Sequence, residues 1–168
     1  MALTVSADIL REHLLYTAWA SNRLVHAIEN IPSDQLTQDF RTSDHSILGT
    51  LVHVFAADRV WLARVKSEPP SSFLTDSDYN LHVLQIDWPL LYDKWHEWAA
   101  GLSDESAGAA IAYTDLKGNP HASPAWEIVF HVVNHGTHHR GQAAGFLRSL
   151  GHTPPQLDLV RYYREARK

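Results

Sequence analysis

The chain has 168 residues, no cysteine and a formal net charge of −5 at pH 7, with an isoelectric point near 6.1. That length suits one domain with a substantial core, and a hydrophobic share of 45% with 20% charged residues is ordinary for a globular protein. The acidic balance argues against a nucleic-acid binder, which carries a basic surplus, and the missing cysteine excludes disulfides, thiolate zinc sites and a cysteine nucleophile.

Any metal must therefore be held by His, Asp or Glu. The stretch from Met1 to Leu15 contains Asp8, Arg11 and Glu12 and no long apolar run, so it does not read as a secretory signal. No segment approaches the roughly 20 apolar residues of a membrane span. A soluble, cytoplasmic protein is expected.

In chain order, a first helix is predicted over 6–30, with Leu10, Leu14, Thr17, Ser21, Val25 and Ile28 on one face at helical spacing. Ile31-Pro32-Ser33 closes it, and a polar connection follows. A second helix is predicted over 44–66 with Ser43 as N-cap, stopped by Pro69-Pro70-Ser71-Ser72. Residues 73–85 read as a loop or a short helical turn. A third helix is predicted over 87–102, with Asp87 as cap and Pro89 in its first turn. Ile111 and Tyr113 then alternate with small residues ahead of Lys117-Gly118-Asn119-Pro120, the pattern of a short β-hairpin. A fourth helix is predicted over 123–150, with Pro124 in its first turn and Gly151 just past its end. Beyond Thr153-Pro154-Pro155 lies a last apolar patch, Leu157, Leu159, Val160 and Tyr162. The basic cluster Arg161, Arg164, Arg167 and Lys168 reads as a solvated helix end. Four long amphipathic helices predict an all-α fold, a four-helix bundle with a short hairpin before the last long helix, forming a single domain over 1–168.

The chemistry concentrates in the fourth helix, in His131-Val-Val-Asn134-His135-Gly-Thr-His138-His139-Arg140-Gly141-Gln142. At about 100° per residue, His131, His135, His139 and Gln142 share the stripe that also carries Ile128, Val132, Phe146 and Leu150, while His138 stands roughly 60° to one side. A buried imidazole needs a partner for each ring nitrogen. A lone one is usually satisfied by backbone, but a His-x-x-x-His pair can reach a single ion. The glutamate of His-Glu-x-x-His is absent, so a thermolysin-like mechanism is not supported. The second helix offers a third imidazole, His53, whose face also holds Ser46, Gly49, Thr50, Ala56, Ala57, Val60 and Arg64. Mostly small neighbours leave room for an open coordination position and a substrate. His53, His135 and His139 are thus the preferred metal ligands, a set suited to Zn²⁺, Ni²⁺, Cu²⁺ or Fe²⁺. Gln142, Asn134 and Arg140 are candidates to orient ligands or substrate, and His45 to line a pocket mouth. The tryptophans Trp61, Trp88, Trp95, Trp98 and Trp126 read as core pieces. A di-iron carboxylate site is not expected, because no Glu-x-x-His pair occurs on the helices.

Together these motifs resemble the DinB (damage-inducible) family of the DinB/YfiT-like metalloenzyme superfamily. The resemblance runs through Tyr16-Thr-Ala-Trp19-Ala-Ser-Asn22-Arg23-Leu24, Ser46-Ile-Leu-Gly-Thr-Leu-Val-His53, Asp58-Arg59-Val60-Trp61-Leu62, the histidine run and Gly151-His-Thr-Pro-Pro-Gln-Leu-Asp158-Leu. It implies a four-helix bundle, a homodimer, and one Zn²⁺ or Ni²⁺ per chain on His53, His135 and His139. It also implies a thiol-dependent transferase or a hydrolase acting on a small electrophile, with a low-molecular-weight thiol as a candidate cosubstrate. The alternative is a non-catalytic metal- or ligand-binding bundle.

Overall fold

Helix α1 (Ala7–Ile28) starts where Ser6 Oγ accepts the Asp8 backbone N–H, and every residue of its predicted inward face is buried. A computed structural model describes residues 4–69 and 72–166; the predicted stop at Pro70 and Ser71, and Arg167 and Lys168 of the basic cluster, lie outside the described residues. Pro32 leads into α2 (Ser33–Leu36), a single turn that the periodicity does not announce.

Helix α3 (Ile47–Val65) starts three residues later than expected. Its N-cap is Ser46, in extended conformation, whose Oγ accepts the Gly49 N–H at 3.0 Å. The expected cap, Ser43, belongs instead to a tight turn in which the Phe40 N–H donates to the His45 carbonyl at 2.7 Å. His45 takes φ 60° there, a left-handed value that a helical first turn does not allow.

The segment between α3 and α4 contains a 3₁₀ turn at Asp76–Asp78 and a π-helical turn at Val83–Asp87, which runs directly into α4 (Trp88–Ala100). Asp87 is therefore already helical and makes no capping bond; Asn80 Oδ1, accepting the Val83 N–H at 3.0 Å, holds the entry instead. A further turn, α5 (Asp104–Gly108), is capped by Ser103.

The hairpin is present. β1 (Ala110–Thr114) pairs antiparallel with β2 (Pro120–Pro124), with Ala112 opposite Ala122. Asp115 accepts the backbone N–H groups of Lys117 and Asn119 across the turn, and Gly118 supplies its φ of +85°. Pro124 ends β2 and directly precedes α6 (Ala125–Ser149). Gly151, at φ +84°, turns the chain away from α6. The last apolar patch becomes α7 (Leu159–Ala166), fastened to α1 by Glu165, which accepts from Trp19 Nε1 and Arg23.

The four long helices close a ring: α1 packs on α4 and α6, and α3 packs on the same two. The hairpin lies against one side of this bundle, β1 on α3 and β2 on α6. Trp88 and Trp95 are fully buried between the helices, and burial of side chains of this size stabilises by about 1.5–3 kcal/mol each. No helix among the described residues is long and apolar enough to cross a membrane.

Candidate metal centre

Helices α3 and α6 bring together the three histidines singled out from the sequence. One nitrogen from each of His53, His135 and His139 lies within 4.8 Å of the others. His53 Nε2 and His135 Nε2 face each other at 3.0 Å. His139 closes the group, its ring centroid 4.6 Å from that of His53 and 4.5 Å from that of His135.

A fourth residue organises them. Asp44, in the turn before α3, sets Oδ1 3.3 Å from His53 Nδ1 and Oδ2 3.5 Å from His139 Nδ1. The carboxylate makes no hydrogen bond to either ring, but its charge beside both Nδ1 atoms favours a proton there, the tautomer in which Nε2 is the metal-binding nitrogen. Gly49 permits it: a Cβ at this position would lie 2.1 Å from the Asp44 carbonyl oxygen. The small residue on the His53 face thus admits a loop as well as leaving space.

The electrostatics favour neutral imidazoles, the form that binds metal. Burial, followed by the neighbouring rings of His139, His53, His131 and His138, pushes His135 down to about 3. Burial and His53 also lower His139, against the opposing pull of Asp44 and Gln142. His139 Nδ1 is buried without a hydrogen-bond partner among the described residues. Three imidazole nitrogens lie within 4.8 Å of one another, two of them face to face, with a carboxylate behind. This donor set can hold a metal ion.

The remaining candidates divide. His131 is exposed; it stacks on His135 at 5.7 Å and meets Trp61 edge-on at 5.0 Å, on the wall of a cavity of about 470 Å³ beside the histidine group. His138 is exposed and meets the His139 ring edge-to-face at 5.0 Å. Gln142 lies against His139, where it favours the charged ring. Asn134 is exposed and away from the group. Arg140 points the other way, into the core, where it donates to Thr17 Oγ1 at 2.8 Å and Ser21 Oγ at 3.1 Å. Helical rotation explains this: 100° beyond His139, a side chain leaves the face that carries His135 and His139. His45, with its left-handed backbone, is exposed and pairs with Asp39 rather than lining the cavity. Trp61 is a cavity wall as well as a core piece.

Two groups of residues at the site carry no strong mark in the sequence. Asp44 is expected to open the second helix, on the face opposite His53; it lies instead in the turn before α3. Asp115, Leu116 and Lys117 reach the cavity from the hairpin turn, and their Asp-x-x-Gly pattern signals only a turn.

Three comparisons bear on this arrangement. The chain is 21% identical over 162 residues to protein DinB of Bacillus subtilis (strain 168), covering 88% of this chain and 89% of that protein. In shape it is similar to the crystal structure of a DinB-like protein from Bacillus cereus ATCC 10987, with a TM-score of 0.68 at 17% identity, covering 93% of this chain and 99% of that one. The profile of the DinB family matches residues 3–168. With that match spanning nearly its whole length, the chain belongs to the DinB family.

Proposed function

We propose that this protein is a metal-dependent enzyme that holds one divalent ion, Zn²⁺ or Ni²⁺, on His53, His135 and His139, and that promotes attack of a thiol or water on a small electrophile. The observation that carries this reading is the convergence of three imidazole nitrogens within 4.8 Å of one another beside an open cavity. The ion would supply Lewis-acid activation of the attacking group. The protein's own residues do the rest. Asp44 places its negative charge beside Nδ1 of two imidazoles, which favours a proton on that nitrogen. Ala57, Val60 and Phe73 give the cavity an apolar wall that limits water and strengthens interactions at the reacting end. Three neutral ligands leave the ion's charge uncompensated, which favours an anionic nucleophile such as a thiolate.

The test is a thiol-consumption screen. Zinc-loaded protein is incubated with several small thiols and electrophiles, and thiol loss is compared with that of His53→Ala. We expect at least one pair to be consumed by the wild type and not by the variant. Consumption that is absent throughout the panel, or equal in His53→Ala, would favour a non-catalytic binding bundle.

A further inference from the structure

The cavity beside the three histidines has in its wall a guanidinium, that of Arg64, with no ion-pair partner among the described residues. Arg64 stacks its guanidinium over Trp61 at 4.4 Å and lies 5.2 Å from the Tyr113 ring. Its Nε is buried without a hydrogen-bond partner, and no described residue forms an ion pair with it within 4.0 Å. Burial works against its charge, and Tyr113 and Asp115 oppose that effect only in part. The neighbouring acid, Asp115, is committed elsewhere: it accepts from the Lys117 and Asn119 backbones, from Asn119 Nδ2 at 2.8 Å, and faces His121 Nε2 at 3.4 Å. Two aromatic rings thus hold in place a guanidinium fork, the group best shaped for two-point recognition of a carboxylate.

Its position relative to the histidines follows from α3. Arg64 comes three helical turns after His53 on the same face, about 16 Å along the axis. Stacking on Trp61 brings the guanidinium back by nearly a turn, to about 12 Å. The wall between is apolar, formed by Ala57, Val60 and Leu116. Lys117 also lines the cavity but is exposed, so the one cation held in place is Arg64, and with the Asp115 carboxylate near it this guanidinium suits a singly charged anion better than a phosphate dianion. We propose that the cavity binds a small, elongated molecule with one carboxylate, paired to Arg64, at one end and its reacting group beside His53 and His135 at the other. The assignment of the reacting end rests on the metal-site reading; that of the carboxylate end does not.

Calorimetric titration of a matched pair, ω-mercaptooctanoate and ω-mercaptooctanol, into zinc-loaded and metal-free protein separates the two. The acid should bind about tenfold more tightly than the alcohol in both forms. The preference should vanish in Arg64→Gln and survive in part in Arg64→Lys, which keeps the charge and loses the fork, with zinc content unchanged in both. Should Arg64→Gln not fold, a reduced preference in Arg64→Lys carries the same test. Equal binding of acid and alcohol, binding of neither, or a preference that outlives Arg64→Gln overturns the proposal. A preference that persists in Arg64→Gln but disappears with the zinc would put the carboxylate on the ion, which defeats the Arg64 assignment and leaves the metal site standing. An Arg64-dependent preference in a protein that binds no metal would do the reverse.

Discussion

At Asp44 one carboxylate is shared between two imidazoles, with 3.3 Å to His53 and 3.5 Å to His139. Its side chain is 16% exposed, and those of the two histidines 22% and 13%, so the contacts are shielded from bulk water. Partners of this kind set the tautomer and basicity of a ligand, and their loss costs 10–100-fold in metal affinity as a rough rule. Asp44→Asn should therefore weaken zinc binding by about that factor in a chelator competition, while metal-free unfolding changes little. Affinity within twofold of wild type would remove Asp44 from the account. The three histidines were legible in the sequence because helical rotation places them on the inner faces of two predicted helices. Asp44 was not, because the expected helix began at this residue, where rotation turns it to the face opposite His53, whereas the structure starts the helix at Ile47 and leaves Asp44 in the turn before it.

The start of α3 shows what an element contributes beyond its face. Ser46 caps it, its hydroxyl oxygen accepting the Gly49 N–H, and the missing Cβ of Gly49 lets the Asp44 carbonyl come close. With a methyl group 2.1 Å from that oxygen, the loop must move. Gly49→Ala is expected to cost about 1–3 kcal/mol in urea unfolding, as overpacking does, and to lower zinc affinity in the same direction as Asp44→Asn. Wild-type values for both would show that the loop yields without disturbing the histidines. Long elements such as α1 and α6 follow from their periodicity to within a few residues. The turns α2, α5 and the π-helical entry to α4 are too short for a period to register. α7, reduced in the sequence to an apolar patch, has its amphipathic character confined to two turns and depends on α1 for its partners.

Across the whole molecule, a buried polar chain ties the ring of helices together on the side away from the histidines. Arg140 of α6 donates to Ser21 of α1, Ser21 meets Tyr92 of α4 at 2.9 Å, and Tyr92 and Trp88 donate to the Asp58 carboxylate of α3 at 3.0 Å each. The helix that presents His135 and His139 is thereby locked to its three partners, and Gly136 leaves the space that Arg140 occupies. Burial lifts the Asp58 carboxyl to about 7, against the hydrogen bonds of Trp88 and Tyr92 and the charge of Arg140. The folded protein then holds a proton there that the unfolded chain, with an ordinary carboxyl, gives up near pH 4. The folded state binds more protons between about pH 4 and 7, so the contribution of this group to stability falls as pH rises through that window. Asp58→Asn keeps an acceptor for Trp88 and Tyr92 and cannot ionise. Its stability relative to wild type should therefore increase from about pH 4 to 7 in thermal unfolding, and a difference independent of pH would contradict the buried titration.

All of these contacts converge on one requirement, that α3 and α6 hold His53, His135 and His139 where a single ion can meet all three. The most direct measurement is the metal content of protein purified without an affinity tag, together with His53→Ala and His135→Ala. About one zinc or nickel ion per wild-type chain is expected, with most of it lost in either variant and the helical fold retained. A wild type without stoichiometric metal, or undiminished metal in His135→Ala, would contradict it.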